Sequence, residues 1–234
     1  RIGHDIQKNM FPAHLPKFPR LKIAAGYRPA KEVSGDFYDL MTKQEKLFIV
    51  IADTAGKGIS ACLYALTLRS ILRAFATEEE NLGTILSKAN TLFCQDCITS
   101  SMFVTVWLGL YDPQKEILEY ANAGHCPAYL LKDNTLIELN TPGMALGVEN
   151  LSNIIVKEIP FNAKEKIFLY TDGVIDTVNL QSEFFGKDRL LQFLKQYGAL
   201  DAHELQEQLF GRLRQFATHA KQQDDTTVLI IEHF

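Results

Sequence analysis

An α+β fold of antiparallel strands is what this sequence predicts, and three observations carry it. Apolar runs recur in neighbouring pairs joined by tight turns, the mark of β-hairpins. Helical periodicity is gathered into two pairs, at about 58–97 and 189–220, instead of alternating with single strands. One stretch, 46–66 (KLFIVIADTAGKGISACLYAL), joins a strand buried on both faces to an apolar helix through a glycine turn, with Asp53 at the junction. A carboxylate at the mouth of a buried strand is costly unless it is neutralised or paired, and a bound cation is the economical answer.

Gly56-Lys57 invites comparison with a phosphate-binding P-loop. The comparison fails at both diagnostic places: the first glycine of that motif falls on Ile51, and Gly58 stands where Ser or Thr is needed.

The remaining elements follow in order. Residues 5–15 read as the end of a helix broken at Pro12, either a frayed terminus or a connector from an upstream domain; the second is preferred, so that 1–16 is a linker and 17–234 one domain. Residues 21–28 form a strand and 29–34 a turn. Gly35-Asp36-Phe37-Tyr38-Asp39 opens the next strand. Asp36 follows a glycine, where backbone can approach a ligand, and is the candidate site residue. Asp39, three positions on, points to the opposite face and reads as a surface or turn residue. Residues 46–52 pair back across the 42–45 turn, which sets Asp36 beside Asp53.

Helices follow at 58–76 and 82–97, with Glu78-Glu79-Glu80 as a solvated link. A second hairpin, 103–111 and 117–123, turns at Asp112-Pro113. His125 follows in Asn122-Ala123-Gly124-His125. It is either a general acid or a structural hydrogen-bonding group, and with no partner visible in sequence the structural role leads. A short hairpin at 128–139, a glycine-punctuated loop at 141–147 and strands at 154–159 and 166–170 come next. The last of these repeats the opening design, an apolar run ending in Asp172-Gly173. A hairpin turn is the bland account, but Val174-Ile175 leads on towards helix. Amphipathic helices at 189–197 and 202–220 precede Asp224-Asp225 and a final buried strand at 228–231.

At 234 residues the chain fits one large domain or at most two small ones. Its net charge of −4 gives no electrostatic case for nucleic acid. No run approaches 18 apolar residues, so no membrane contact is expected, and no signal peptide is visible. Among four cysteines, Cys94-x-x-Cys97 lacks the second pair a zinc site needs and lies in a helical pattern. A reducing, cytoplasmic setting fits.

Asp36, Asp53, Asp172 and one of Asp224 and Asp225 thus sit at strand ends that can converge. Four carboxylates alone repel and raise one another's pKa values. Two divalent cations cancel four formal negatives. Oxygen ligands without clustered His or Cys point to Mn²⁺ or Mg²⁺ and away from zinc. Such a centre suits hydrolysis of phosphate esters.

The motifs S-G-D-F-Y-D, A-D-T-A-G-K-G, N-A-G-H, Y-T-D-G-V and D-D-T-T occur in one order, over about 5–231. In this the chain resembles metal-dependent serine/threonine phosphatases of the protein phosphatase 2C type. More narrowly, it resembles the bacterial branch typified by stage II sporulation protein E and the stress-response sigma-factor phosphatases. The resemblance implies a sandwich of two antiparallel sheets flanked by helices. It implies that Asp53 bridges two metals, that the Thr54 carbonyl and Asp36 serve one of them, and that Asp172 and Asp224 hold the other. The branch usually reads Gly-Asp-Val-Ser-Gly-Lys-Gly, so Ala52, Thr54 and Ala55 depart from it without removing a ligand. Ala55 stands where animal relatives carry a histidine, which leaves bound water or His125 as the acid. Arg28 and Lys57 are stand-ins for a substrate-phosphate arginine that has no clear match.

The activity implied is hydrolysis of phosphoserine or phosphothreonine by metal-activated water, on a phosphorylated anti-anti-sigma-like partner. An upstream sensor domain would relay its signal through the helices after Asp53, and a homodimer is compatible with that arrangement. A rival of another class is a phosphoprotein-binding module without turnover. A purely structural domain would take up no metal.

Overall fold

The computed structural model describes residues 7, 10, 12 and 15–234, other than 99, 134, 151–152 and 219. The helix end read at 5–15 lies largely outside the described residues; Gln7 and Met10 are helical and Pro12 is not.

Among the described residues, ten strands form two five-stranded sheets, antiparallel throughout. The first sheet orders β1 (Leu21–Arg28), β10 (Thr226–His233), β9 (Lys166–Tyr170), β6 (Ala128–Lys132) and β7 (Thr135–Leu139). The second orders β2 (Phe37–Lys43), β3 (Lys46–Thr54), β4 (Val104–Asp112), β5 (Ile117–Ala123) and β8 (Lys157–Pro160). Helices α1 (Ile59–Glu78) and α2 (Leu82–Cys97) cover the second sheet, and α3 (Gly186–Tyr197) and α4 (Ala202–Ala217) cover the first. This is the αββα sandwich the resemblance implied.

Two cores follow from strand alternation. Along β10, Leu229 and Ile231 point into the cluster between the sheets, while Val228 and Ile230 point into the cluster beneath α3 and α4. That double burial explains why the strand reads as an unbroken apolar run. Trp107, Ile51 and Ile49 share the face of the second sheet that meets the first, and all three are fully buried. Each such side chain contributes about 1.5–3 kcal/mol relative to exposure. A capping box, Asp201 with Glu204, starts α4.

Several boundaries differ from the sequence reading. The final strand runs to His233, because its flanks pair with β1 beyond the apolar run. β8 starts at Lys157 rather than 154. α3 begins at Gly186, and α4 stops at Ala217, where Thr218 turns left-handed (φ 42°). Asp172–Val174 is a single 3₁₀ turn and not the opening of a long helix. α1, at 20 residues, is long and apolar enough to cross a membrane by length and composition. Here it packs on β2, β3 and α2.

Candidate metal centre

β3 delivers Asp53 at its end, where it pairs with Thr105 of β4. Phe37 of β2 pairs with Ala52, so Asp36, one step before Phe37, lies across from Asp53. The hairpin therefore does what the sequence required of it. Gly56 and Gly58, at φ 86° and 84°, then turn the chain into α1, a conformation that a side chain would strain.

Asp36 is buried, and its Oδ2 accepts from Thr171 Oγ1 and Thr227 Oγ1, both at 2.7 Å. Those threonines belong to the other sheet's end, so Asp36 crosses the sandwich. Asp172 follows Thr171 directly and opens the 3₁₀ turn. Asp224 precedes β10 and is ion-paired to Lys57 at 2.8 Å. The Lys57 ammonium also donates to the Gln223 carbonyl. Gly173 allows this crowding: a Cβ there would meet the Asp225 carbonyl oxygen at 1.8 Å.

The electrostatics report that the four carboxylates share one place. Burial raises the pKa of Asp53, and the charges of Asp36, Asp172 and Asp224 raise it further. Burial also raises Asp36, against the two threonine hydroxyls that stabilise its anion. Asp172 is raised by burial and then by Asp224 and Asp176. Asp176 was not singled out in the sequence, yet it is raised by burial and Asp224 and sits four positions after Asp172 on the same turn. The second acid of T-D-G-V-I-D was the available signal.

Asp225 has a different task. Its two oxygens accept the backbone amides of Ala30 and Gly35, at 2.7 and 2.8 Å, and so pin the loop that carries Asp36. Gln7 braces the same loop: its Nε2 donates to the Ser34 carbonyl at 2.7 Å, and Ser34 N donates to its Oε1 at 3.0 Å. Thr54, last in β3, is buried, and its Oγ1 has no hydrogen-bond partner among the described residues.

The reading of Asp39 as a surface or turn residue is corrected. Its side chain does face away from Asp36, but that face is covered by α1. Asp39 is buried, paired with Arg69 at 3.1 Å and held by Arg73 through both carboxylate oxygens.

His125 is buried behind the cluster. Its Nε2 lies 3.1 Å from the Tyr170 carbonyl, which can only accept, so Nε2 carries the proton; Nδ1 accepts from Thr105 Oγ1 at 2.8 Å. Burial lowers its pKa to about 4. Both nitrogens are engaged within the protein, which favours the structural alternative over the general acid. Arg28 lies outside the cluster, over the Phe210 ring at 5.5 Å, on a cavity wall shared with Asp224.

Among the described residues, no three His, Cys, Asp or Glu side chains close into a ready-made cage. The donor set nevertheless fits a hard divalent cation. It consists of carboxylate oxygens without an available imidazole, and burial first, then neighbouring acids, raises the pKa of Asp36, Asp53 and Asp172.

Comparison with known proteins places this geometry. Residues 43–234 match the family described as stage II sporulation protein E (SpoIIE). Protein IcfG of Synechocystis is 31% identical over 82% of this chain, which spans 35% of IcfG. Phosphoserine phosphatase RsbU of Bacillus subtilis is 27% identical over 98% of this chain, which spans 68% of RsbU. The SiaA-PP2C domain of Pseudomonas aeruginosa superposes with a TM-score of 0.87 at 22% identity, covering 99% of this chain and 94% of that one. Two further structures of the fold, PstP with 2 manganese ions and RsbX with magnesium, hold divalent cations (TM-scores 0.67 and 0.66). With its sandwich, its carboxylate cluster and a match over residues 43–234, the chain belongs to the SpoIIE family of PP2C-type phosphatase domains.

Proposed function

We propose that this domain hydrolyses phosphoserine or phosphothreonine on a small regulatory protein of the anti-anti-sigma type, in the cytoplasm, with two Mn²⁺ or Mg²⁺ ions as cofactors. The observation that carries the reading is the convergence of Asp36, Asp53, Asp172 and Asp224 from the ends of two sheets. The names of RsbU and RsbP, a second Bacillus subtilis phosphoserine phosphatase 24% identical over 98% of the chain, support the substrate class.

Asp36, Asp53, the Thr54 carbonyl, Asp172 and Asp224 would hold the ions. Bound there, the ions supply Lewis-acid polarisation of the phosphoryl oxygens and a water acidified to near neutrality. The chain supplies orientation. Thr171 and Thr227 fix the Asp36 carboxylate, Asp225 fixes its loop, and neutral His125 ties β4 to the end of β9, one step before Thr171. Lys57 is a cation that can turn from Asp224 to a substrate phosphate. An upstream sensor region acting through α1 and α2, and self-association, belong to the same proposal.

The test is phosphate release from a phosphoserine-bearing regulatory protein with Mn²⁺, in the wild type and in Asp53→Asn. Removing several kcal/mol of electrostatic stabilisation lowers the rate at least about a thousandfold. Equal rates would defeat the proposal, and retention of the phosphoprotein without turnover would assign the chain to a binding module.

A further inference from the structure

A cavity of about 680 Å³ opens beside the carboxylate cluster, and Gly173 and Asp224 form part of its wall. Its volume is that of a ligand site. Leu213 of α4 and Val178 supply apolar wall. Its cations are Arg28 at the end of β1, Arg214 on α4 and Lys221 on the segment that follows.

Among the described residues none of these three cations is paired with a carboxylate, and the one acid on the wall, Asp224, is already taken by Lys57. The Arg28 guanidinium is held over Phe210, half-buried, within electrostatic reach of Arg214. Its pKa is lowered by burial and by Arg214. Like charges kept together this way are a cost that folding does not require, since the chain carries 28 acidic residues against 24 basic ones. An anion between the guanidiniums removes the repulsion, and guanidinium geometry favours a carboxylate or phosphate. The apolar wall asks for more than a bare ion: the occupant carries a hydrophobic side chain as well.

We propose that this cavity docks an acidic, partly apolar segment of the substrate polypeptide, adjoining its phosphorylated residue. The inference rests on the reading of the carboxylate cluster as the hydrolytic site of a phosphoprotein phosphatase. Cluster and cavity share Asp224, so the acid lies close along the chain to the phosphorylated residue. The segment then selects among phosphoproteins by charge, and the cluster acts on whichever phosphate it presents.

The experiment measures binding of fluorescein-labelled phosphoserine peptides to the whole chain by anisotropy, in EDTA so that nothing is hydrolysed. One peptide carries Glu and Leu beside the phosphoserine, a second has Gln for Glu, and a third has Lys. The Glu peptide is expected to bind about tenfold tighter than the Gln peptide, and added salt narrows the gap. Arg214→Glu, at an exposed position checked by circular dichroism, is expected to abolish that preference and to favour the Lys peptide. Arg214→Gln abolishes the preference without reversing it. Equal affinities for the Glu and Gln peptides, or an Arg214→Glu variant that still prefers Glu, overturn the proposal. So does displacement of all three peptides alike by millimolar inorganic phosphate, which assigns the cavity to a free anion. Failure of every phosphopeptide to release phosphate in Mn²⁺ counts against the hydrolytic reading and leaves the binding result to judge the docking site separately.

Discussion

Asp36 and Asp39 stand three positions apart, equally buried, and are treated in opposite ways. Asp39 receives two guanidiniums from α1, so its charge is matched inside the protein. Asp36 receives two hydroxyls and faces other carboxylates, so its charge is oriented but not matched. The same short stretch of chain, at the start of β2, thus carries one acid that holds a helix in place and one whose neutralisation is left to something from outside. Burial alone does not distinguish structure from function; the identity of the compensating group does.

The sharpest way to break this comparison is to neutralise each acid in turn. Asp36→Asn is expected to lower metal-dependent phosphate release by about a thousandfold, while the cation-free protein keeps or gains stability in urea, having lost an uncompensated buried charge. Asp39→Asn is expected to do the reverse. It strips the partner from Arg69 and Arg73 and costs about 3 kcal/mol of unfolding free energy, the low end for a buried pair because Arg73 is partly exposed. If Asp39→Asn melts like the wild type and Asp36→Asn does not, the assignment of roles is inverted.

Asp225→Asn tests the intermediate case, an acid matched by backbone amides. Its amide group cannot accept from both Ala30 N and Gly35 N, so a loss of about 1–3 kcal/mol is expected. Because that loop carries Asp36, calorimetric Mn²⁺ affinity is expected to fall as well.

The smallest effect is a pH dependence. Folding raises the pKa of Asp36 and Asp53, so the folded protein binds protons more tightly than the unfolded chain. Their contribution to stability without cations is therefore greatest below the ordinary carboxylate pKa of about 4 and declines as pH rises towards the raised values. The slope is at most about 1.4 kcal/mol per pH unit for each such carboxyl. Thermal melts in EDTA should show this decline and melts in Mn²⁺ should not; a decline in both would separate the carboxylates from cation binding.

Much of this was legible in the sequence. Hairpin geometry placed Asp36 beside Asp53, and β5 and β9 keep the bounds read from periodicity. What escaped was whatever depends on long-range packing. Alternation gave the face of Asp39 correctly but not its environment, because Arg69 and Arg73 meet it only once α1 lies on the sheet. Asp176 was marked only as the second acid of T-D-G-V-I-D, because a single 3₁₀ turn leaves no period to read. Thr171 and Thr227 carry no local signal, since only the pairing of β9 with β10 brings both to one carboxylate.

That pairing has a mechanical consequence. The hydroxyls of Thr171 and Thr227 stitch one leaf of the sandwich to the other through a single side chain, at the edge where the chemistry lies. Any breathing motion that parts the leaves there also dismantles the ligand set, so opening of that edge and loss of a cation become one event. The slowest-exchanging amides should therefore shift towards this edge when divalent ions are added, as if a clasp had been closed.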